Sequence, residues 1–372
     1  MHSRVCICFP GNTRKCRRRV CHYMNIFADT SHHAGLNFSI RLMGKRLDFE
    51  IFNPIGMEWT SHGWLVHKAY DYNMETAKQF LQIKPEYALE PSHPLNTIVN
   101  ETSSYYEIQD HYHSDTSKSV TYDQFMSMEI AVVIASIPDH WESFKQLVRA
   151  HPSRPELVCH TGNVGWDQLS VFQDGSVENL LASVKKFPVS HKTNAVFYHQ
   201  EIPVVPFKPY VGDKKTVTSF LHLLPRRDDY MTLRTLLPEY EFKAYGSGCP
   251  DGIMPSLHTM YETMQDSQFI LQNKPGGDGF GWNVMCAAML GRPLLVNYQD
   301  YKDKLAGEFL IPDKTCIDIQ GSTLTPLVDK IRFFTQSQQY KEMSMNLSAH
   351  FTLHVNYERE AEGLKVFFEN LH

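Results

Sequence analysis

A glycine-rich segment after an apolar run holds the residues best suited to binding an anion. It runs Asn-Lys-Pro-Gly-Gly-Asp-Gly-Phe-Gly over residues 273–281, and the apolar stretch WNVMCAAML follows it. Glycine lets the backbone approach a ligand closely and adopt positive φ, and a helix N-terminus offers free N–H groups with partial positive charge. The pattern predicts a phosphate or diphosphate cradle; the alternative is a tight strand-to-helix turn without a ligand. The predicted cradle comprises Lys274, Gly276, Gly277, Asp278, Gly279, Phe280, Gly281 and Asn283.

Histidines at predicted strand ends are the candidates for proton transfer, because imidazole titrates near neutral pH. Of the 19 histidines, His33 follows the first strand, His160 ends the run ELVCH and His199 ends NAVFYH. Glu201 is the acid closest to the same edge. Ligands bind beyond the carboxyl ends of parallel strands, so we predict these four residues as catalytic candidates. The alternative for each histidine is a structural role in the core or on the surface.

Two other segments contain metal-ligating residue types. The polar stretch Asp-His-Tyr-His-Ser-Asp at residues 110–115 has no regular structure predicted around it, and solvated surface is the favoured interpretation. Residues 1–23 contain four of the eight cysteines, six Lys or Arg residues and no acid. The cysteine spacing is not a familiar zinc pattern. We expect a basic, disordered extension upstream of Met24, and an organelle transit peptide is the alternative.

Composition limits the class of protein. The chain has 372 residues, 42% of them hydrophobic, and a formal net charge of -5, which argues against broad attraction to nucleic acid or anionic membranes. No apolar run approaches the ~18 residues of a spanning helix. The four cysteines beyond residue 23 lie far apart, as is typical of free thiols in a reducing compartment. A cytoplasmic protein without a transmembrane segment is expected.

Apolar runs alternate with helical patterns along most of the chain. The strand-like runs MNIFAD, EIAVVIASI and NAVFYH precede a proline-rich stretch at residues 201–215, and TVTSF, YEFKAYG, SQFILQN, RPLLVN and TCIDI follow it. This βαβ rhythm predicts an α/β protein with mostly parallel sheets. We expect two Rossmann-like domains facing a cleft, with a C-terminal helical segment. The predicted boundaries are 1–23 for the extension, 24–205 and 206–345 for the two domains, and 346–372 for a helix that returns to the first domain.

The segment PGGDGFGWNVMCAAMLGRPLLV resembles the donor-sugar loop of GT-B glycosyltransferases, in which an acid-Gly-Phe-Gly segment, a helix and Gly-x-Pro occur in this order. Asp278 matches the acid of that loop. In the retaining members a Glu eight residues later commonly contacts the nucleotide ribose, and Cys286 stands at that position here. The resemblance covers most of the chain from Met24 and implies the GT-B architecture.

The same resemblance implies further donor-binding residues. The loop after the first strand, which faces the cleft in this family, contains Gly35. Basic residues after the first strand of the second domain usually hold the donor diphosphate, and Arg226 and Arg227 occur there, with Arg227 the better match to the usual Lys. The alternative for both is a solvated turn beside two aspartates. Gly246 and Gly248 match the Gly-x-Gly of the loop that holds the nucleotide base.

By resemblance, the chain is expected to be a hexosyl- or pentosyltransferase that moves a sugar from a nucleotide donor, such as a UDP-sugar, to an acceptor hydroxyl. The acceptor could be a glycan, a lipid, a small molecule or a modified DNA base. No Asp-x-Asp motif occurs, which favours a metal-independent reaction with no cofactor beyond the co-substrate. The loop resemblance favours retention of configuration. The alternatives are a GT-B-fold nucleotide-sugar epimerase and a non-catalytic nucleotide-binding or interaction protein.

Overall fold

The structure, a computed structural model, describes residues 24–28, 40, 43–54, 119–135, 141–162, 170–202, 206–210, 212, 215–246, 248–254, 257–278, 281–320 and 324–371. Several predictions fall outside these residues. They concern the basic extension 1–23, the loop with His33 and Gly35, the segment 110–115, and Gly279 with Phe280.

The first sheet contains seven parallel strands in the order β3-β2-β1-β4-β5-β6-β7. Its central strands are apolar on both faces because helices cover both sides of such a sheet, and every residue of β4 is buried. The strands are β1 Asn25–Ala28, β2 Glu50–Pro54, β3 Ser119–Val120, β4 Val132–Ala135, β5 Glu156–Thr161, β6 Asn179–Ala182 and β7 Asn194–Phe197. Helices α1 Tyr122–Ser127 and α2 Trp141–Ala150 belong to this part of the chain.

The second sheet contains five parallel strands in the order β12-β11-β10-β8-β9. The chain leaves β8 on one side to form β9, then continues on the other side with β10. A topological switch point therefore lies between β8 and β10. The strands are β8 Thr216–Ser219, β9 Glu241–Ala244, β10 Phe269–Gln272, β11 Leu294–Val296 and β12 Cys316–Asp318, with helices α3 Arg227–Leu236, α4 Leu257–Gln265, α5 Trp282–Leu290 and α6 Leu324–Phe334.

Two C-terminal helices connect the sheets. Helix α7, Ser337–His354, packs against α5 in the second core. Helix α8, Tyr357–Glu369, begins at the N-cap Asn356 and packs Ala361, Leu364 and Phe367 into the core of the first sheet. The expected α/β architecture of two parallel-stranded domains with C-terminal helices is therefore confirmed.

The Gly-Arg-Pro segment after α5 anchors the connection between the sheets. Gly291 ends α5 with φ of 69°, in the left-handed region that favours glycine. Arg292 is fully buried, and its guanidinium donates to the backbone carbonyls of Lys208 (2.7 Å), Gln265 (2.8 Å) and Leu290 (3.1 Å). Because a buried guanidinium must satisfy its donors, this contact ties Lys208, in the proline-rich stretch between the sheets, to the ends of α4 and α5.

None of the helices in the described ranges is both long enough and apolar enough to span a bilayer. The cytoplasmic location stays a prediction.

Candidate functional site

The switch point of the second sheet is the place where the fold favours a ligand. In an open parallel sheet, the loops after the two strands that flank the switch point diverge and leave a crevice at their carboxyl ends. Here those loops are 220–226 after β8, which we call the arginine loop, and the described residues 273–278 and 281 after β10, which we call the glycine loop. The sequence predicts donor-binding residues in both, and the sheet order makes the two loops neighbours.

The arginine loop has an unusual backbone. Leu223, Leu224 and Arg226 have φ of 61°, 42° and 55°, which place three non-glycine residues in the left-handed region. Each such residue costs about 1–2 kcal/mol, and strain of this kind concentrates at functional sites because surrounding contacts must maintain it. The side chain of Leu223 is 75% exposed, so its own burial does not compensate for this strain. The loop ends at Arg226, which is the N-cap residue of α3.

Arg226 joins the two loops. Its Nη1 donates to Asn273 Oδ1 at 2.8 Å and lies 2.8 Å from Asp300 Oδ2. Asn273 in turn donates from Nδ2 to Asp229 Oδ2 at 2.7 Å. The Arg226 side chain is 28% exposed, so it is held in place and still reaches solvent. Arg227, which the sequence favoured, is an exposed residue at the start of α3.

Glycine is required at position 277 by packing within the protein. Gly277 has φ of 71°, and a Cβ on it would lie 2.4 Å from the backbone oxygen of Asp300. The preceding N–H, of Gly276, donates to Asp300 Oδ1 at 3.1 Å. Gly281, with φ of 39°, is the N-cap of α5. The glycine loop therefore packs directly against the short turn Tyr298–Asp300, which would demand glycine even without a ligand.

The acid and the cation of the glycine loop are paired with each other. Lys274 Nζ lies 2.5 Å from Asp278 Oδ1, and Gln272 also donates to the carboxylate. Tyr301 donates its hydroxyl to Asp278 Oδ2 at 3.3 Å. Burial, reinforced by the charge of Asp278, raises the pKa of Tyr301 well above its usual value, so the phenol stays protonated and donates. Asp278 thus holds the loop together, and Lys274 remains about half exposed.

Asn283 links helix α5 to the arginine loop. Its Nδ2 donates to the backbone oxygen of Phe220 at 3.1 Å, which ties the first turn of α5 to the end of β8. One turn further along α5, Cys286 is fully buried and faces Tyr261, and burial raises the pKa of its thiol to about 12. The side chain at the position where the resemblance implies a ribose-binding Glu is therefore buried.

The Gly-x-Gly loop after β9 lies against the arginine loop. Gly246 has φ of 143°, and a Cβ there would meet the backbone of His222 at 3.0 Å. Gly248 has φ of 71° and lies next to Leu223. The structure thus brings the predicted base-binding glycines beside the predicted diphosphate-binding loop. At Gly246, as at Gly277, the atoms nearest to an added Cβ would belong to the protein's own backbone.

His222, Asn273 and Asp300 belong to this site but were not selected from the sequence. His222 is an exposed residue of the arginine loop, yet the surrounding protein lowers the pKa of its imidazole and the Lys274 ammonium lowers it further, so it is neutral near pH 7. Asn273 could have been selected because it directly follows β10. Asp300 gives no comparable signal, since it follows β11 by four residues and depends on a tertiary contact.

The predicted catalytic residues His160 and Glu201 belong to neither the arginine loop nor the glycine loop. His160 is 1% exposed, and its Nε2 lies 2.7 Å from the Tyr198 hydroxyl inside the first core. Glu201 is buried and accepts from Arg46 Nε at 2.7 Å. These contacts give both residues a structural environment, and their catalytic role stays a prediction.

His199 lies at the junction of the two domains. Its Nδ1 is 3.0 Å from Glu360 on α8, and its Nε2 is 3.8 Å from Glu308 of the second domain. Its backbone N–H also donates to Glu360. This arrangement connects the end of β7 to α8, whereas the arginine and glycine loops are joined through Asn273 and Asp300.

A metal site is not evident among the described residues. Within them, no group of three His, Cys, Asp or Glu side chains is placed to hold an ion. The segment 110–115 lies outside these residues, so metal independence stays a prediction.

Comparison with known proteins gives the fold its name. No protein-family model matches the chain, and no curated protein sequence does either. Among solved structures, Anabaena HepE in complex with UDP-glucose is similar over 94% of this chain and all of its own, with 12% identity and a TM-score of 0.57. A glycosyltransferase from Rickettsia africae is similar over 94% and 99%, with 10% identity and a TM-score of 0.56.

A third neighbour is the UDP complex of S. aureus TarM, with 13% identity and a TM-score of 0.50. The match includes 64% of this chain but only 55% of TarM, so the chain spans about half the length of that neighbour. At these identities the similarity establishes the fold. Two parallel-stranded α/β domains, joined by helices that return to the first, give this chain the GT-B fold of these glycosyltransferases.

Proposed function

We propose that the chain transfers a sugar from a nucleoside diphosphate sugar, with UDP as the favoured nucleotide, to an acceptor hydroxyl. The observation that carries this proposal is Arg226, a partly exposed guanidinium held at the switch point between the strained arginine loop and the N–H groups of the glycine loop. Guanidinium and backbone N–H groups are the donors that bind phosphate oxygens. The neighbours crystallised with UDP or UDP-glucose support the choice of nucleotide.

Each part of the donor has a proposed place. The diphosphate lies against Arg226, the Gly276 N–H and the N-terminus of α5, with Lys274 at the rim. The base lies beside the loop with Gly246 and Gly248. The sugar then extends towards the first domain, which supplies the acceptor site. Arg227 is kept as the less favoured alternative to Arg226.

The chemistry that these residues support is stabilisation of a leaving group. As the bond from the anomeric carbon to the phosphate oxygen breaks, negative charge grows on the diphosphate, and a fixed guanidinium and helix N-terminus stabilise it. These groups serve the same electrostatic role as a divalent ion, so we propose that the reaction needs no metal and no further cofactor. Retention of configuration, and His33, His160, His199 or Glu201 as catalytic groups, remain proposals from the sequence.

The test is incubation with a panel of UDP-linked hexoses and pentoses and a range of acceptors: glycans, lipid carriers, small alcohols and hydroxymethylated DNA. Release of UDP with transfer to an acceptor supports the proposal. An epimerised donor without transfer indicates the epimerase, and binding without turnover indicates a non-catalytic nucleotide-binding protein. If no nucleotide sugar binds, the proposal is wrong.

Metal dependence is tested in the same assay. We expect turnover to be unchanged in excess EDTA, because Arg226 and the helix N-terminus carry the leaving-group charge. Loss of activity that Mg²⁺ or Mn²⁺ restores would contradict metal independence and direct attention to the acids and histidines at residues 110–115.

A further inference from the structure

Asp300 contacts both the arginine loop and the glycine loop. It ends the short turn Tyr298–Asp300 after β11, and its side chain is 17% exposed. One carboxylate oxygen accepts from the Gly276 N–H at 3.1 Å, and the other lies 2.8 Å from Arg226 Nη1. A single internal carboxylate thus contacts the two groups to which the proposed function assigns the diphosphate.

Asp300 is not needed to hold Arg226. The same Nη1 donates to Asn273 at 2.8 Å, and Asn273 is fixed by Asp229 at 2.7 Å. These two hydrogen bonds connect the guanidinium to α3 and to the end of β10 without passing through Asp300. Removal of the Asp300 charge should therefore leave Arg226 in place.

The glycine loop is also held independently of the Asp300 carboxylate. Gly277 packs against the backbone oxygen of Asp300, and this contact does not involve the carboxylate. Asp278 is bound by Gln272, Lys274 and Tyr301, and these contacts tie the loop to the same turn. The Asp300 side chain is thus free to move while the loop keeps its shape.

We propose that the Asp300 carboxylate is an internal placeholder that competes with a diphosphate for Arg226 and the glycine loop. This inference rests on the proposed function and concerns the affinity of the same site. A diphosphate that binds must displace the carboxylate from both contacts. Two like charges about 4 Å apart at an effective dielectric of 20 repel by about 4 kcal/mol, so the side chain must rotate towards solvent. Without a bound diphosphate, the placeholder pairs with the Arg226 guanidinium and the Gly276 N–H, and it reduces the affinity for every diphosphate ligand.

The experiment is calorimetric titration of the full chain with inorganic pyrophosphate, UDP and uridine. Asp300→Asn keeps the shape and an oxygen for the Gly276 N–H but removes the charge. We expect it to tighten the binding of pyrophosphate and UDP about tenfold, equivalent to ~1.4 kcal/mol, and to leave uridine unchanged. Asp303→Asn is the matched control, because Asp303 is an exposed acid three residues away. It should bind all three ligands as the wild type does.

Two further variants complete the design. In an Arg226→Ala background, Asp300→Asn should give a much smaller gain, because the group for which the carboxylate competes is missing. Asp300→Ser, whose hydroxyl also accepts from the Gly276 N–H, repeats the test if the asparagine variant folds poorly. A thermal melt without ligand checks the fold of each variant.

The outcomes separate the two proposals. If the wild type binds UDP and both Asp300 variants bind it equally well or more weakly, the placeholder is overturned. Weaker binding would make Asp300 a positioning residue. If Asp303→Asn tightens the binding of pyrophosphate and UDP by the same factor, the effect comes from net charge alone and the placeholder is also overturned. If neither the wild type nor any variant binds UDP or pyrophosphate, the proposed donor site itself is wrong.

Discussion

The arginine loop and the glycine loop flank the same switch point but are built in opposite ways. The glycine loop uses glycines at left-handed positions, and its Asp278 and Lys274 are paired internally. The arginine loop adopts the same region of φ with Leu223, Leu224 and Arg226, and it ends in a guanidinium that solvent can reach.

This difference shows what each sequence pattern signifies. A glycine at a left-handed position relieves strain, and at Gly277 the structure shows that it also makes room for the Asp300 carbonyl. A leucine at such a position keeps the strain, which the rest of the structure must support. The glycine loop, which is the more obvious candidate in the sequence, is therefore occupied with internal packing. The arginine loop carries the cation that we propose binds the donor.

The largest expected effect is on stability, at Gly277. In Gly277→Ala, left-handed φ costs about 1–2 kcal/mol and the clash with the Asp300 carbonyl adds about 1–3 kcal/mol. Urea unfolding should show a loss of roughly 2–5 kcal/mol by these two contributions. Gly252→Ala is the control, because Gly252 has φ of 77° and nothing within 4 Å of its Cβ position. Equal losses in both variants would show that packing against Asp300 does not matter.

Arg226→Ala should have the largest effect on function. A charge-assisted hydrogen bond to the leaving diphosphate contributes about 1.5–3 kcal/mol, so kcat/KM should fall roughly tenfold to a hundredfold. Part of the loss should be in kcat, because the charge on the diphosphate grows in the transition state. Arg227→Ala should retain wild-type kinetics, and its stability should change by less than ~0.5 kcal/mol. A larger loss at Arg227 would restore the ranking that the sequence favoured.

A smaller effect is expected at Leu223. Leu223→Gly removes left-handed strain of about 1 kcal/mol but increases the entropy of the unfolded chain by a similar amount. Stability should hardly change, whereas UDP affinity should fall a few-fold because Arg226 is less preorganised. Leu223→Ala keeps the strained backbone and should bind UDP normally. If both variants weaken UDP binding equally, the side chain rather than the backbone is responsible.

The smallest effect tests whether the two loops interact electrostatically. Lys274 of the glycine loop lowers the pKa of His222 in the arginine loop, in addition to the effect of the surrounding protein. Lys274→Met should therefore raise the pKa of His222 towards its ordinary value, as followed by NMR of the imidazole protons. Lys302→Met, an exposed lysine with the same charge change, should leave that pKa unaltered.

Much of the fold could be predicted because strands buried on both faces are continuous apolar runs. The structure places strands within the runs VVIA, FILQ and LLV as expected. The strand Asn179–Ala182 was not predicted, because its short NLLA run looks like a helix fragment after a polar turn. Helix α3 begins at Arg227, and the acids Asp228 and Asp229 in its first turn suit a helix N-terminus.

The site was predictable only where it follows directly from strand ends. The arginine and glycine loops each follow a strand, so the chain order indicates them. Asp300 could not be selected, because its contacts depend on how a turn after β11 packs on a loop more than twenty residues earlier. The burial of His160 and the pairing of Glu201 with Arg46 also depend on contacts between distant segments, so they could not be predicted from the sequence.

The measurement that tests the account most directly is a crystal structure of the protein with UDP. We expect the diphosphate at the switch point between β8 and β10, with phosphate oxygens about 2.7–3.2 Å from the Arg226 guanidinium and the Gly276 N–H. The Asp300 carboxylate should have turned away from both. UDP bound elsewhere, or bound at this crevice with Arg226 still paired to Asp300, would contradict the account.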